Sequence, residues 1–597
     1  MDIGKGIRVV MPGKGEVMLR AQDHLATGGE GAVFQRAGMV YKLYLDPVAA
    51  RARGMEEKIG LLAQLRHPSI VAPIDVLRDQ QQALVGHYMP AAPGVPLIEL
   101  CTNAWRNANG FGDDQAAQLV ENMRAAVTAA HALPALMVDG NETNWLANGV
   151  EPRVIDVDSW QIGRFPATAM MATIRDYHGA QPSPAADWFA WGIVTFQVFM
   201  GIHPYKGSHP DFRRGDLEAR MRANVSVFDP RTRLNAAVRH FAAIPAALRD
   251  WYADTFQRGL RGSPPSALQP RIAASAPRKY RATLGATGRL QHEHVLTLPG
   301  TVRWIDADGL AVIESGGRLQ AYDLRHRQAL DGLAPATLQG IIGGRCCLLA
   351  HQRGAILLEI AAGTISAQFI PGPGDRPPAR PQIAALPLRA DRLLRLGRRV
   401  FAVSDAGASG LAEIRIEHLG ERLLLAIGQS WPVHARATRF FDGLAVWDCL
   451  GTPFILLPEG PSALLIDRAE VLRDYRLINA YARDRHAVVM HGLSRDDGLL
   501  YRLRLRLGKA GYELIDATVV YESELNVAVT ARGVAVALFD DGEVTVWNTA
   551  GDSEQRIADR AATRDLRLFA LADGVYYLAD REVFRLRLGV AFRSSTH

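Results

Sequence analysis

The spacing of apolar residues divides the chain into a helix-rich first half and a strand-rich second half. Helical periodicity predicts four helices, at residues 55–65, 114–132, 187–200 and 245–260. In the second half, short apolar runs alternate with Gly, Asp and Arg turns, a pattern that is typical of strands. Between the halves, residues 262–282 (GSPPSALQPRIAASAPRKYRA) have the composition of a linker. We therefore predict a linker at 266–282 and a separate all-β domain at 283–597.

A hairpin-like unit recurs in the second half. Each unit pairs an apolar strand with an alternating strand, and the units are 309–324, 344–360, 399–416, 443–457, 486–505, 533–547 and 574–588. Their spacing of roughly 35 to 55 residues is that of propeller blades. We interpret each unit as the last two strands of a blade, and we predict a seven-bladed β-propeller. Another all-β array is the alternative.

Composition and charge narrow the location and the partners. The chain is 48% hydrophobic and 22% charged, which is typical of folded soluble proteins. A net charge of +6 over 597 residues is too dilute to favour nucleic acid as a partner. The four cysteines form no CxxC pair, which fits a reducing compartment. The N-terminus lacks the apolar core of a signal peptide, and residues 189–202 are too short to cross a membrane. We expect a cytoplasmic protein that does not bind membranes.

A glycine-rich segment and a strand lysine mark the beginning of the helix-rich half. Gly28, Gly29 and Gly31 lie in TGGEGAVF, where a glycine backbone can approach phosphates and Val33 can pack on a base. Lys42 follows in the apolar strand VYKLY, and a lysine on a buried face needs an anion. A snorkelling surface lysine is the alternative.

Carboxylates and amides follow at fixed spacing. Asp139 and Asn144 are five residues apart, and Asp156 and Asp158 follow the apolar run that ends at residue 155. Hard oxygen ligands of this kind suit Mg²⁺ bound together with substrate phosphates. Asp139 and Asn144 are also common turn formers, and Asp158 is equally consistent with a turn cap.

The order of these motifs resembles the protein kinase fold. After them come Asp187 and the segment WFAWGIVTFQVFMGIHPYKG, which is similar to a buried kinase helix and the turn that follows it. The resemblance covers about residues 15–265, with an N-lobe at about 15–90 and a C-lobe at about 91–265. It is sharper to bacterial kinase-like proteins that carry GGEGAV, D-x-N-x-x-N and I-D-x-D-S-[FW]-Q. The fold class it implies is an α+β bilobal kinase-like domain, followed here by the propeller.

The resemblance assigns the nucleotide to particular residues. The backbone of Gly28–Gly31 would cover the ATP phosphates, and Lys42 would neutralise them. A helix glutamate would orient Lys42, and the helix register does not decide between Glu57 and Glu56. The backbone near His87 and Met89 would meet the adenine.

The resemblance also assigns the chemistry. Asp139 would accept the proton of the attacking hydroxyl, and Asn144 and Asp156 would hold Mg²⁺. Spacing slightly favours Asp156 over Asp158 as the metal ligand. Asp187 would tie the catalytic loop to the buried helix.

Departures from the kinase pattern leave more than one function open. Met137 and Val138 stand where many kinases have His-Arg, Asn141 replaces a phosphate-binding lysine, and Ala26 replaces the first loop glycine. The implied function is an ATP- and Mg²⁺-dependent Ser/Thr kinase whose propeller recruits substrates or regulators. The similar bacterial proteins imply a metal-dependent protein phosphatase or a von Willebrand A protein as a partner. A pseudokinase scaffold, and transfer to a small molecule or of a group such as AMP, are the alternatives.

Overall fold

The structure is a computed structural model. The structure describes residues 6–588 except 180, 214, 235–237, 269–289, 307, 373–382, 397–398, 405–409, 420–421, 442, 460–462, 486, 521–524, 531, 539–542, 550–553, 559–566 and 580. The predicted linker at 266–282 lies mostly outside these residues.

The first structural unit is a seven-stranded antiparallel sheet with two short helices. Its strands are β1 (Ile7–Met11), β2 (Gly15–Leu19), β3 (His24–Thr27), β4 (Gly31–Arg36), β5 (Met39–Tyr44), β6 (Asp75–Arg78) and β7 (Leu84–Pro90). Helices α1 (Pro47–Ala52) and α2 (Met55–Leu62) lie between β5 and β6 in the chain. The strand order is β2-β1-β6-β7-β5-β4-β3. We predicted that this domain begins at about residue 15. Because β1 pairs with β6, the sheet begins earlier, at Ile7.

A helical part follows the sheet. Its strands are β8 (Val95–Pro96), β9 (Ala135–Leu136), β10 (Trp145–Asn148), β11 (Glu151–Val154) and β12 (Gln161–Ile162). Its helices are α3 (Leu97–Leu100), α4 (Asn103–Asn109), α5 (Asp113–Ala132), α6 (Pro184–Met200), α7 (Leu217–Ala223) and α8 (Ala246–Phe256). The four predicted helices are confirmed as α2, α5, α6 and α8, with ends that differ by up to four residues.

Helix α6 forms the centre of the helical core. Ser183 accepts a hydrogen bond from the Ala186 N–H and Pro184 occupies the first turn, a favourable helix start. The helix ends at Gly201, whose φ of 72° is a left-handed conformation. Every residue of α6 from Asp187 to Met200 is buried. Among the described residues, none of the helices combines the length and the apolarity that crossing a bilayer requires.

The C-terminal part is rich in β-structure. Its strands are β13 (Leu290–Thr297), β14 (Thr301–Ile305), β15 (Leu310–Ser315), β16 (Arg318–Asp323), β17 (Gln328–Leu330), β18 (Cys346–His351), β19 (Gly354–Ala361), β20 (Thr364–Pro371), β21 (Ile383–Leu386), β22 (Arg392–Leu396), β23 (Arg399–Ser404), β24 (Gly410–Leu419), β25 (Arg422–Trp431), β26 (Thr438–Phe440), β27 (Ala445–Cys449), β28 (Thr452–Glu459), β29 (Ala463–Arg468), β30 (Tyr475–Asp484), β31 (Ala487–Ser494), β32 (Leu500–Leu507), β33 (Tyr512–Val519), β34 (Val527–Val529), β35 (Val534–Leu538), β36 (Glu543–Asn548), β37 (Glu554–Ala558), β38 (Arg567–Leu571), β39 (Gly574–Ala579) and β40 (Glu582–Leu588). One helix, α9 (Pro335–Ile342), lies between β17 and β18.

These strands form antiparallel sheets of four strands each. Within the described residues there are seven such sheets, and each of the first six is made of four consecutive strands from β14 to β37. The last sheet has the order β13-β40-β39-β38, so the first strand of this part pairs with its last strand. The sheets pack on each other through apolar clusters, such as the one that joins Leu310, Leu348 and Leu357 of neighbouring sheets.

The seven repeated units are confirmed as antiparallel hairpins, but their place in the sheet differs from the prediction. Six units form the two middle strands of a sheet, as β15–β16 does, and not the last two. The unit at 344–360 forms the first and second strands, β18 and β19. The first middle strand is buried at most positions, as in β15, whereas the second alternates buried and exposed positions, as in β16, which is the pattern that the repeated unit shows in the sequence.

Candidate functional site

The glycine-rich turn connects β3 and β4. The Gly28 N–H donates a hydrogen bond to the Gly31 carbonyl oxygen at 2.9 Å, which closes the turn. A Cβ on Gly31 would lie 2.8 Å from the Leu43 carbonyl oxygen and 3.0 Å from the Lys42 Cγ. Only glycine therefore allows β4 to lie this close to β5. Val33 is half-buried and pairs directly with Lys42 across the two strands.

The Lys42 ammonium group lies between two carboxylates. Its Nζ donates to Asp156 Oδ1 at 2.7 Å and to Asp158 Oδ2 at 2.8 Å, and it lies 4.0 Å from Glu30 Oε2. The side chain is 8% exposed. Burial opposes the charge, but Asp158 and Asp156 outweigh it and raise the pKa of Lys42 above its ordinary value. The anion that the sequence predicted for Lys42 is thus supplied, in this structure, by the protein itself.

The predicted pairing of Lys42 with a helix glutamate is not found, which corrects the sequence prediction. Glu57 pairs with Arg164 and Glu56 pairs with Arg78, and both glutamates are more than half exposed. The buried residues of α2 are Met55, Lys58, Ile59 and Leu62. At 100° per residue, this apolar stripe turns positions 56 and 57 away from the sheet.

Helix α2 carries a lysine on its inner face in place of a glutamate. The Lys58 Nζ donates to the Pro166 carbonyl oxygen at 3.1 Å. Burial lowers the pKa of Lys58 to about 8, although the charge of Asp158 acts in the opposite direction. Asp158 therefore lies in the field of two buried lysines, Lys42 and Lys58.

Asp156 and Asp158 differ in their access to solvent. Both follow β11, and Asp156 has a φ of 59°, so its backbone is left-handed and turns the chain sharply. The Asp156 side chain is 36% exposed, whereas that of Asp158 is 1% exposed. Burial would raise the pKa of Asp158, but Lys42 and then His87 and Lys58 hold it at about 2. Asp158 is a buried charge partner, and Asp156 presents a partly exposed carboxylate to the space between the N-terminal sheet that carries Lys42 and the helical part, which we call the cleft.

Asp187 holds the loop that precedes Asp139. The backbone N–H groups of Met137 and Val138 donate to its two oxygens, each at 2.9 Å. His131 Nε2 lies 2.9 Å from Asp187 Oδ2. Val138 has a φ of 57°, which is strained for a β-branched residue and is stabilised by the Asp187 contact. The predicted role of Asp187 as the tie between the loop and the buried helix is confirmed.

Asp139 and Asn144 contact each other directly. The Asn144 Nδ2 donates to the Asp139 carbonyl oxygen at 2.9 Å and lies 3.3 Å from Asp139 Oδ2. The Met171 N–H donates to Asp139 Oδ1 at 2.8 Å. Asp139 is buried, and burial raises its pKa above the ordinary value. A carboxyl with a raised pKa is suited to accept a proton, but Met171 covers one of its oxygens here.

The loop between Asp139 and Asn144 is braced from inside by Asn141. Its Oδ1 accepts hydrogen bonds from the Thr143 N–H at 2.9 Å, from Thr143 Oγ1 at 2.6 Å and from the Asn144 N–H at 3.2 Å. The Asn141 side chain therefore stabilises the loop and does not reach the cleft. A backbone hydrogen bond places Asn144 beside Asp156, the two predicted metal ligands. The N–H of Ile155, the residue before Asp156, donates to the Asn144 carbonyl oxygen at 2.9 Å.

The oxygen groups at this point fit Mg²⁺ held jointly with phosphates. Asp156 offers a partly exposed carboxylate, and Asn144 has its Nδ2 engaged by Asp139, which leaves Oδ1 as its ligating atom. The described residues contain no group of three or more His, Cys, Asp or Glu side chains that could hold a metal alone. Phosphate oxygens and water would therefore complete the coordination of the ion, as is usual for Mg²⁺.

His87 and Met89 lie within strand β7. Their backbones pair with Lys42 and Val40 of β5, so the chain leaves the sheet only after Pro90. The His87 side chain is buried, 3.0 Å from the Tyr44 hydroxyl and 3.7 Å from an Asp158 oxygen. The segment predicted to meet the adenine is thus part of the sheet, and the His87 imidazole packs behind Lys42.

We expect the chain to lose stability in mild acid because buried histidines must gain a proton on unfolding. Burial lowers the pKa of His87 to about 4 and that of His203 to about 3. Both are uncharged in the fold but titrate near pH 6.5 once exposed, so stability falls below that pH until the folded pKa is reached. Each contributes a slope of about 1.4 kcal/mol per pH unit to the free energy of unfolding.

Urea unfolding from pH 7 to 4.5 measures this slope. His87→Gln should flatten it and the exposed His240→Gln should not; equal slopes in all three proteins would contradict the assignment.

Comparison with known proteins gives a distant structural likeness. No protein-family model matches the chain, and no curated protein matches it. Among solved structures, it is similar to a twitchin kinase fragment from C. elegans, described as autoregulated protein kinase and immunoglobulin domains. The identity is 16%, the TM-score is 0.29, and the match covers 34% of this chain and 48% of that one. The likeness spans about half of that structure and carries no argument about activity.

Proposed function

We propose that the chain is an ATP- and Mg²⁺-dependent serine/threonine protein kinase. The observation that supports this most is the Lys42–Asp156 contact at 2.7 Å, beside a loop that holds Asp139 against Asn144. A buried lysine, a partly exposed carboxylate and a carboxyl with a raised pKa in one cleft are the groups that phosphoryl transfer requires. The order of strands around Lys42 and the Asp187 tie support the same proposal.

In this proposal the chain's residues position and stabilise the reacting groups. Lys42 exchanges its contact with Asp156 for the α- and β-phosphates, and the backbone of Gly28–Gly31 covers them. Asn144 and Asp156 would hold Mg²⁺, which would supply neutralisation of the charge on the phosphates. Asp139 accepts the proton of the attacking hydroxyl.

Asp158 takes the orienting role that the helix glutamates do not fill. Its carboxylate is buried and 2.8 Å from Lys42 Nζ, so it fixes the lysine from the side away from solvent. This divides the two aspartates into a positioning residue, Asp158, and a metal ligand, Asp156.

The two aspartates should respond differently to replacement by asparagine. Asp156→Asn should weaken the affinity for Mg²⁺·ATP by about tenfold or more, and should not weaken Mg²⁺-free ATP binding, because the carboxylate it removes competes with the phosphates for Lys42. Asp158→Asn should lower the free energy of unfolding by about 1–3 kcal/mol, because a buried charge loses one of its partners. Calorimetric titration and urea unfolding measure the two quantities. The reverse pattern, with the Mg²⁺ effect carried by Asp158 alone, would overturn the division.

For the C-terminal part, we propose a β-propeller that recruits substrates or regulators. Seven sheets of four strands, with the first strand paired to the last, support a ring that closes on itself. The partners we expect are protein substrates, or a regulator such as a metal-dependent phosphatase or a von Willebrand A protein, in the cytoplasm.

A scaffold that binds nucleotide without transfer is the second candidate. It is favoured by the Met171 contact on Asp139 and by Asn141, which is used within the loop and adds no cation to the cleft. Incubation of the full chain with γ-labelled ATP and Mg²⁺ separates the candidates. Label on Ser or Thr supports the kinase, and nucleotide-dependent stabilisation without label supports the scaffold. If the chain neither transfers label nor is stabilised by nucleotide, both candidates are contradicted.

A further inference from the structure

The β-rich part contacts the glycine-rich turn directly. The Thr27 N–H donates to Asp448 Oδ2 at 3.3 Å, and Asp448 Oδ1 accepts the Gly451 N–H at 2.6 Å. Gly451, at the turn between β27 and β28, packs on Thr27. Arg436 adds a hydrogen bond from Nη1 to the Gln35 carbonyl oxygen at 3.0 Å. The turn predicted to cover the phosphates is therefore held from outside.

Sheet β26–β29, which carries Asp448, and the next sheet, β30–β33, also contact the helical part. Arg439 of β26 forms an ion pair with Glu99 at 3.2 Å. Arg476 of β30 donates from Nη1 to the Thr143 carbonyl oxygen at 3.1 Å, within the loop that runs from Asp139 to Asn144. Sheet β26–β29 thus bridges the N-terminal sheet and the helical part, and it fixes the two walls of the cleft relative to each other.

A third contact reaches the residue that covers Asp139. Gly498, in the β31–β32 turn, lies against Met171, and a Cβ on Gly498 would lie 2.5 Å from Met171 Cγ. Met171 packs on a mixed cluster of side chains from both parts of the chain, formed by Ile98, Leu493, Leu500 and Val520. The backbone of this same Met171 donates to Asp139 Oδ1 at 2.8 Å. The β-rich part therefore presses on the segment that occupies the proton acceptor.

We propose that these three groups of contacts, at the glycine-rich turn, at the helical part and at Met171, form an autoinhibitory junction, which holds the kinase site closed until the β-rich part moves away. The inference rests on the proposed function, since it assigns its regulation. While the junction is formed, the phosphate-covering turn and the lobes are fixed, and Met171 blocks Asp139 from an acceptor hydroxyl. When the junction opens, the Met171 contact is released and Asp139 is exposed to substrate. A partner that binds the β27–β28 and β31–β32 turns shifts this equilibrium towards the open state.

Two variants of the full chain open the junction at separate points. Asp448→Ala removes the contact to Thr27, and Arg476→Ala removes the contact to Thr143. We expect each to raise the rate of γ-phosphate transfer by about 5- to 150-fold, the usual range of coupling between two sites. We also expect faster hydrogen exchange of the Met171 amide, because its bond to Asp139 opens. Arg587→Ala, which removes an exposed pair with Glu293 within its own sheet, is the matched control and should change neither quantity.

Hydrogen exchange keeps the test separate from the kinase assignment. Faster Met171 exchange in both variants, without label transfer in any protein, would support the junction and count against the proposed activity. Unchanged exchange and unchanged transfer in the two variants, with both correctly folded by circular dichroism, would overturn the junction. Transfer that rises equally in Arg587→Ala would overturn it as well.

Discussion

Replacing Asp139 by asparagine should lower the rate of phosphate transfer by about 10²- to 10⁴-fold, the usual contribution of a general base. Asparagine keeps the shape of the side chain, so its Oδ1 can still accept the Met171 N–H, but it cannot take up a proton. Nucleotide affinity should stay close to that of the wild type, because Asp139 is not assigned to the phosphates or the metal. Single-turnover transfer from γ-labelled ATP, with binding measured separately, checks both statements.

The control for this prediction is Asp250→Asn, an exposed aspartate on α8. It removes the same charge without touching the cleft, and its transfer rate should equal that of the wild type. Transfer that survives Asp139→Asn undiminished would show that another group accepts the proton.

Replacing Lys42 by methionine should lower the free energy of unfolding more than any other variant proposed for the cleft. The change leaves Asp158, which is 1% exposed, without its closest cation. Removal of one partner from a buried ion pair costs about 3–5 kcal/mol. ATP binding should be lost together with stability, because the same ammonium group is expected to meet the phosphates. Urea unfolding and calorimetric titration measure the two losses, and Lys509→Met, an exposed lysine of the β-rich part, is the matched control.

The pH dependence of this loss has a defined sign. In the wild type, Lys42 holds the pKa of Asp158 at about 2, below its unfolded value. This contribution is present above pH 4 and is lost as the pH falls through about 2. Without Lys42, burial raises the pKa of Asp158, and the carboxyl takes up a proton in the fold. The stability gap between wild type and Lys42→Met should therefore shrink from pH 7 to pH 3, and a constant gap would contradict the pairing.

The parts of the fold set by local sequence could be predicted. The periodicity of the four helices and the alternation of the seven hairpins depend on neighbouring residues, and both match the structure. Asp187 could be placed because it precedes the long apolar segment that resembles a buried kinase helix, and the structure puts it in the first turn of α6. Helix α9 was not predicted, since its eight residues lie between strands and give too short a periodic signal.

The parts that depend on distant contacts could not be predicted. The register of α2 decides that Glu56 and Glu57 point outward, and two adjacent glutamates carry no information about it. The spacing of Asp156 and Asp158 left their roles open, and only burial distinguishes them. The contact between Asp448 and Thr27 joins residues 421 positions apart, a distance over which no sequence pattern constrains the chain.

A structure of the full chain with Mg²⁺ and a non-hydrolysable ATP analogue tests the central claim most directly. We predict that the phosphates lie under the Gly28–Gly31 backbone with Lys42 Nζ on the α- and β-phosphates. The metal should bind Asn144 Oδ1 and Asp156, while Asp158 keeps its contact with Lys42. A nucleotide bound away from Lys42, or a Lys42 that stays paired with Asp156 at saturating analogue, would contradict the account.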